Sequence, residues 1–98
     1  MKETILQARL ALGRRDRELA EKHAEQLREL GFKIVQIASR GVSFEGPIEL
    51  FEQTFDSPVI DTEHGTTFEK APSIPKVINE YVDSVYFPTR PTFFHRLN

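Results

Sequence analysis

Few polar side chains in this chain have the spacing that metal binding requires. Its three histidines, His23, His64 and His95, fall on a predicted helix, a turn and the C-terminal tail, and the chain has no cysteine. A zinc site needs several imidazole, thiolate or carboxylate ligands at short, defined spacings. We therefore expect no bound metal and no cofactor.

Catalytic groups are equally sparse. Asp61-Thr62-Glu63-His64 contains two carboxylates and an imidazole, which could transfer protons in a cleft, although such a turn more often only keeps a loop in water. Ser39 and Ser43 flank another predicted turn without the neighbouring base that a serine nucleophile needs. We therefore expect no enzymatic activity.

Charge and hydropathy narrow the range of partners. Arg14-Arg15-Asp16-Arg17 could contact a phosphate at a helix start, but a solvated helix entry is the favoured alternative. The net charge of −2 argues against a broad nucleic-acid surface. The N-terminal apolar run is interrupted by Gln7 and Arg9, so we expect no signal peptide and no membrane span. The simplest compartment is the cytosol.

The elements that would position these groups are clearest between Gly31 and Phe55. Gly31 suits the end of a helix that finishes at Leu30, where a positive φ favours glycine. Two alternating apolar segments flank a Ser39-Arg40-Gly41 turn, and Pro47 suits the first turn of a helix. A helix, a hairpin and a helix in this order form the middle of a βαββαβ unit.

The flanking segments complete this unit. Residues 4–12 alternate as in a half-buried strand, Asp16 can cap the first helix, and Pro58–Thr62 is a fourth short strand, with a fifth at Thr67-Phe68. We predict an α+β fold, a ferredoxin-like antiparallel sheet of four strands with two helices on one face and a C-terminal extension. The predicted core is Leu6, Leu10, Leu27, Val35, Ile37, Phe44, Phe51 and Phe55.

The chain changes in character after residue 70. Prolines punctuate residues 71–98, so we divide the chain into a core of residues 1–70 and an extension of residues 71–98. Helical spacing of apolar residues at 78, 81, 82 and 85 predicts a short helix between Ile74 and Phe87.

The aromatic residues of the extension have two interpretations. Their rings could fold back onto the sheet, or they could anchor an extended segment in the groove of a partner. Proline would keep such a segment extended. The predicted partner-binding residues are Tyr86, Phe87, Arg90, Pro91, Phe93, Phe94 and His95.

A series of short motifs occurs in a fixed order along residues 17–87: Gly31-Phe32, Phe44-Glu45-Gly46, Phe51-Glu52-Gln53-Thr54-Phe55, Pro58-Val59, His64-Gly65, Phe68 and Ser73-Ile74-Pro75, followed by Val77, Val82 and Val85. In this order the segment resembles the activation prodomain of the sedolisin/kumamolisin serine peptidases. The resemblance implies a ferredoxin-like propeptide fold, similar also to subtilisin propeptides, that docks on a peptidase, assists its folding and blocks its cleft.

The expected function follows from this resemblance. The chain would be a non-enzymatic, propeptide-like module that binds and inhibits or chaperones a serine peptidase encoded separately. The alternative is an assembly module that forms a homo-oligomer or a subunit of a larger complex through its open sheet face or its tail. Both hypotheses expect a protein partner, and neither involves nucleic acid or a membrane.

Overall fold

A computed structural model describes residues 4–63 and 65–88 of the chain. It contains an antiparallel sheet of four strands, two helices on one face of it and a second sheet of two strands. In chain order the elements are β1 (Ile5–Leu12), α1 (Arg17–Leu30), β2 (Lys33–Ala38), β3 (Gly41–Pro47), α2 (Ile48–Phe55), β4 (Val59–Thr62), β5 (Gly65–Phe68), a 3₁₀ turn (Lys76–Ile78) and β6 (Val82–Tyr86).

The main sheet has the strand order β2-β3-β1-β6, so the ferredoxin-like α+β fold is confirmed. The segment predicted as the fourth strand of this sheet does form a strand, β4, but β4 pairs with β5 in the separate two-stranded sheet. β4 is mostly exposed, whereas β6 buries Val85. The last strand of the main sheet thus comes from residues 71–98.

The helix predicted between Ile74 and Phe87 is wrong. That segment contains the 3₁₀ turn and then β6, which pairs with β1. Two features favour the strand: Val82 and Val85 are β-branched, and Tyr81 has a φ of 57°, which interrupts a right-handed helix. The helical spacing was misleading because Ile78 and Val85 are both buried in the core but belong to different elements, Ile78 to the 3₁₀ turn and Val85 to β6.

Both predicted ends of α1 are confirmed. The Asp16 carboxylate accepts a hydrogen bond of 3.0 Å from the backbone N–H of Leu19, and Gly31 adopts a φ of 114° while its N–H bonds to the Arg28 carbonyl. These contacts satisfy backbone groups that a helix end leaves unpaired. Within the described residues, no helix is long and apolar enough to cross a membrane.

The core lies between the helices and the main sheet, and it is centred on Phe32, Phe44, Phe51 and Phe55, whose ring centroids are 4.9–6.4 Å apart. Most of the predicted core residues are buried in it or packed against it. Val35 was predicted wrongly, because its side chain is 46% exposed. A shift of register between Ile34 and Gln36 interrupts the alternation of β2 there.

Candidate protein-binding surface

In the part of the chain that the structure describes, one face of the main sheet is not covered by a helix. Along β1 the buried residues Ala8, Leu10 and Leu12 point towards the helices, so the alternate residues point to the opposite face. Strand register then assigns the cross-strand neighbours of those residues to that face as well. We call this surface the helix-free face; its residues are Ile5, Gln7, Arg9, Ala11, Lys33, Gln36, Ala38, Gly41, Ser43, Glu45, Pro47, Ser84 and Tyr86.

A row of hydrogen-bonding side chains crosses the middle of this face. Gln36 lies opposite Ser43, Ser43 opposite Arg9, and Arg9 opposite Tyr86. The Nη1 atom of Arg9 donates to the Ser43 hydroxyl at 3.3 Å. Since a guanidinium has five N–H groups, most of the donors of Arg9 remain available to a bound partner.

The neighbouring row consists of small residues. Ala38 lies opposite Gly41, Gly41 opposite Ala11, and Ala11 opposite Ser84. A Cβ atom at Gly41 would collide with the Leu10 carbonyl oxygen and would lie 3.3 Å from Nη2 of Arg9. The guanidinium therefore extends along the face towards Gly41, over this row of small residues.

Several charged and apolar groups on this face have no partner among residues 4–63 and 65–88. Among the described residues, neither Arg9 nor Glu45 makes an ion pair, although Glu45 lies opposite Lys33. Ile5 is 49% and Tyr86 42% exposed. Arginine and tyrosine are enriched among residues that dominate protein interfaces, so the composition of the face suits a protein partner.

Of the predicted partner-binding residues, the structure describes two, and these two lie in different environments. Tyr86 is exposed and lies on the helix-free face opposite Arg9. Phe87 is only 8% exposed, and its ring centroid is 5.1 Å from that of Phe51 and 4.8 Å from that of Phe68. Phe87 thus matches the first interpretation, in which the ring folds back onto the domain. Arg90, Pro91, Phe93, Phe94 and His95 lie outside the described residues.

Of the three histidines, only His23 lies among the described residues. His23 lies on α1, as expected from the sequence, and is buried there at 1% exposure. Its Nε2–H donates to the Glu80 carbonyl at 2.9 Å, while no described residue bonds to its Nδ1 atom. His64 and His95 lie outside the described residues, and the described residues contain no group of three potential metal ligands.

A second polar surface surrounds the start of α1. Arg14 lies 3.8 Å from the centroid of the Tyr81 ring and pairs with Asp16 at 2.9 Å. The Leu19 N–H bond and, secondarily, Arg14 lower the pKa of Asp16 below its usual value of 3.8. A hollow of about 280 Å³ beside these residues is also lined by Lys22 and Glu80. Its lining carries charges of both signs.

Sequence reasoning did not identify Arg9 or Tyr81 as residues of interest. The alternation of β1 put Arg9 on the polar side of a strand, which is a common place for arginine. Its neighbours Ser43 and Tyr86 are 34 and 77 residues away in the chain, and only the register brings them together. The chain matches no protein-family model and no curated protein.

Proposed function

We propose that this protein is a non-enzymatic binding module that docks on a serine peptidase through the helix-free face and restrains the enzyme. The observation that carries the proposal is the position of Arg9, which is half-buried in the centre of a sheet face that no described helix covers and has no carboxylate partner among the described residues. The serine peptidase as partner rests on the resemblance of residues 17–87 to peptidase prodomains.

The chemistry of the face supports docking on a protein. A guanidinium can form two parallel hydrogen bonds with a carboxylate, and Ser43 already fixes its orientation. Tyr86 beside it offers a ring and a hydroxyl, which suits an interface that is apolar in its centre and wet at its rim. A partner that presents a carboxylate to Arg9 and apolar groups to Ile5 and Tyr86 would match this surface.

In this proposal the segment after Pro88, which we call the tail, inhibits the docked peptidase. Phe87 is held in the core, and Pro88, the last described residue, follows β6, whose Tyr86 lies on the helix-free face. Once the domain has docked, the segment after Pro88 enters the peptidase cleft at an effective concentration near millimolar, as for other short tethers. In this proposal Phe93 and Phe94 are the anchors, and Pro91 makes the segment a poor substrate because proline restricts the backbone around it.

A pair of matched variants tests docking. Ile5 and Val77 are exposed to similar extents, 49% and 52%, but Val77 lies in the 3₁₀ turn, away from the helix-free face. Ile5→Asp should weaken binding to a purified sedolisin-type peptidase that lacks its own prodomain by at least about tenfold. Val77→Asp should leave binding unchanged. Equal effects of the two variants would contradict docking through this face.

Removal of the tail tests inhibition separately. A chain that ends at Pro88 keeps Phe87 and β6, so it should still bind the peptidase but should no longer inhibit it. The double variant Phe93→Ala, Phe94→Ala should weaken binding by several kcal/mol if both rings are buried by the enzyme. Full inhibition by the shortened chain would disprove insertion of the tail into the cleft.

A further inference from the structure

Arg9 and Glu45 lie on the helix-free face and do not pair with each other; the face also carries a second cation, Lys33, opposite Glu45. Glu45 lies two residues from Ser43 along β3, and Ser43 lies opposite Arg9 on β1. Arg9 and Glu45 are therefore diagonal neighbours, roughly 7–8 Å apart at the backbone. Arg9 extends towards Gly41, which is the direction away from Glu45. In the described part of the chain neither has an oppositely charged partner.

We propose that two copies of this chain associate through their helix-free faces, with Arg9 of each copy bound to Glu45 of the other. In a two-fold symmetric interface a residue i contacts j and j contacts i. A face on which an unpaired arginine and an unpaired glutamate are diagonal neighbours can thus complement itself, and both pairs form in a single arrangement with Lys33 beside each Glu45. Glu45 of a second copy supplies the carboxylate that Arg9 lacks among the described residues.

The rest of the face is suited to such contact. Packed sheets lie about 10 Å apart, a distance that an arginine and a glutamate from opposite faces can bridge together. The small-residue row, Ala38, Gly41, Ala11 and Ser84, lets the second backbone approach closely. Ile5 and Tyr86 lose exposed apolar surface in the contact, which offsets part of the cost of desolvating the charges.

The symmetry also predicts which residue meets its own copy. Arg9 and Glu45 form one diagonal of a four-residue group whose other diagonal is Gln7 and Ser43. The two-fold axis that exchanges Arg9 with Glu45 crosses the first diagonal at its midpoint and runs close to the second. Gln7 therefore faces Gln7 of the other copy, and its exposed side chain can be replaced without loss of core packing.

This association does not depend on the peptidase proposal, because it uses the chain alone. It would cover the surface proposed for peptidase docking, so each molecule could engage either a second copy or a peptidase. Dilution would then favour peptidase binding, since dissociation of a dimer depends on concentration.

Variants that exchange the charges of Arg9 and Glu45 test the proposal on the full chain. Sedimentation equilibrium should give a mass that rises with concentration towards twice the 11.3 kDa of one chain. Arg9→Glu alone and Glu45→Arg alone should each weaken association at least about tenfold, and the double variant should restore it. Glu49→Arg, on the exposed surface of α2, is the control and should change nothing.

A cross-link gives an independent measurement without disturbing the charges. Because the chain has no cysteine, Gln7→Cys introduces one thiol, which a bis-maleimide reagent long enough to span the roughly 10 Å between packed sheets should link to the thiol of the second copy. Glu49→Cys should remain monomeric under the same conditions. A monomeric mass at about 1 mM, where even weak association is populated, would overturn the proposal. A double variant that fails to associate, or equal cross-linking of both cysteine variants, would also overturn it.

Discussion

The Nε2–H of His23 donates a hydrogen bond of 2.9 Å to the backbone carbonyl of Glu80, 57 residues later in the chain. This contact joins a buried position of α1 to the turn that precedes β6. The same turn is held by the bond from Val82 N–H to the Asn79 carbonyl and by the bond from Gly13 N–H to the Tyr81 carbonyl. Three hydrogen bonds, one from α1, one within the turn and one from the end of β1, therefore fix where the last strand enters the sheet.

We expect His23→Ala to destabilise the fold by about 2–4 kcal/mol, because it removes a buried ring and leaves the Glu80 carbonyl without its donor. Urea unfolding measures the change. Lys22→Ala is the matched control at an exposed position of the same helix, and it should change the free energy of unfolding by less than about 0.5 kcal/mol. A similar small effect for His23→Ala would contradict the role of this contact.

Tyr81 provides a test of backbone strain. Its φ of 57° is unusual for a residue with a Cβ atom, while its ring is half exposed and packs on Arg14. Tyr81→Asn and Tyr81→Val both remove the ring, but asparagine tolerates this φ and valine does not. We expect the valine variant to be less stable than the asparagine variant by about 1 kcal/mol or more in thermal or urea unfolding. Equal stabilities would show that the turn relaxes to another conformation.

The core assignment is tested by one buried and one exposed residue. Phe51 is 0% exposed among four other phenylalanine rings, so Phe51→Ala should cost about 3–5 kcal/mol, a large part of the stability of so small a domain. Val35→Ala should cost less than about 1 kcal/mol, because Val35 is exposed beside the irregular register of β2. A melting curve left unchanged by Phe51→Ala would contradict the core.

Local signals explain why much of the fold was predictable. Asp16 and Gly31 mark the two ends of α1 through rules that involve only neighbouring residues. The alternation of β1 and the Ser39-Arg40 turn likewise require no knowledge of distant contacts. Elements whose form is set by their immediate neighbours were therefore assigned correctly.

The errors arose where distant parts of the chain decide the outcome. β6 became a strand because it pairs with β1, about 75 residues earlier, and the exposure of Val35 depends on how β2 pairs with β3. Which residues are neighbours on the helix-free face could not be predicted for the same reason. Arg9 and Tyr86 become neighbours only through the register, and no local pattern encodes it.

The N-cap of α1 makes stability depend on pH. The Leu19 N–H bond, and after it Arg14, lower the pKa of Asp16 in the folded state. The ionised carboxylate is therefore favoured by folding, so its contribution is present above the unfolded-state value of about 3.8 and is lost as the pH falls through the folded-state pKa. Asp16→Asn keeps an oxygen that can accept the Leu19 bond but cannot titrate.

Comparison of wild type with Asp16→Asn isolates the contribution of the Asp16 carboxylate to stability. Urea unfolding of wild type and Asp16→Asn between about pH 6 and pH 2 should show wild type more stable at the upper end. The difference should shrink as the pH falls below about 3.8, because the other titratable groups are common to both proteins and cancel. A difference that stays constant over this range would mean that Asp16 caps α1 without any contribution from its charge, and a difference that grows on acidification would contradict the lowered pKa.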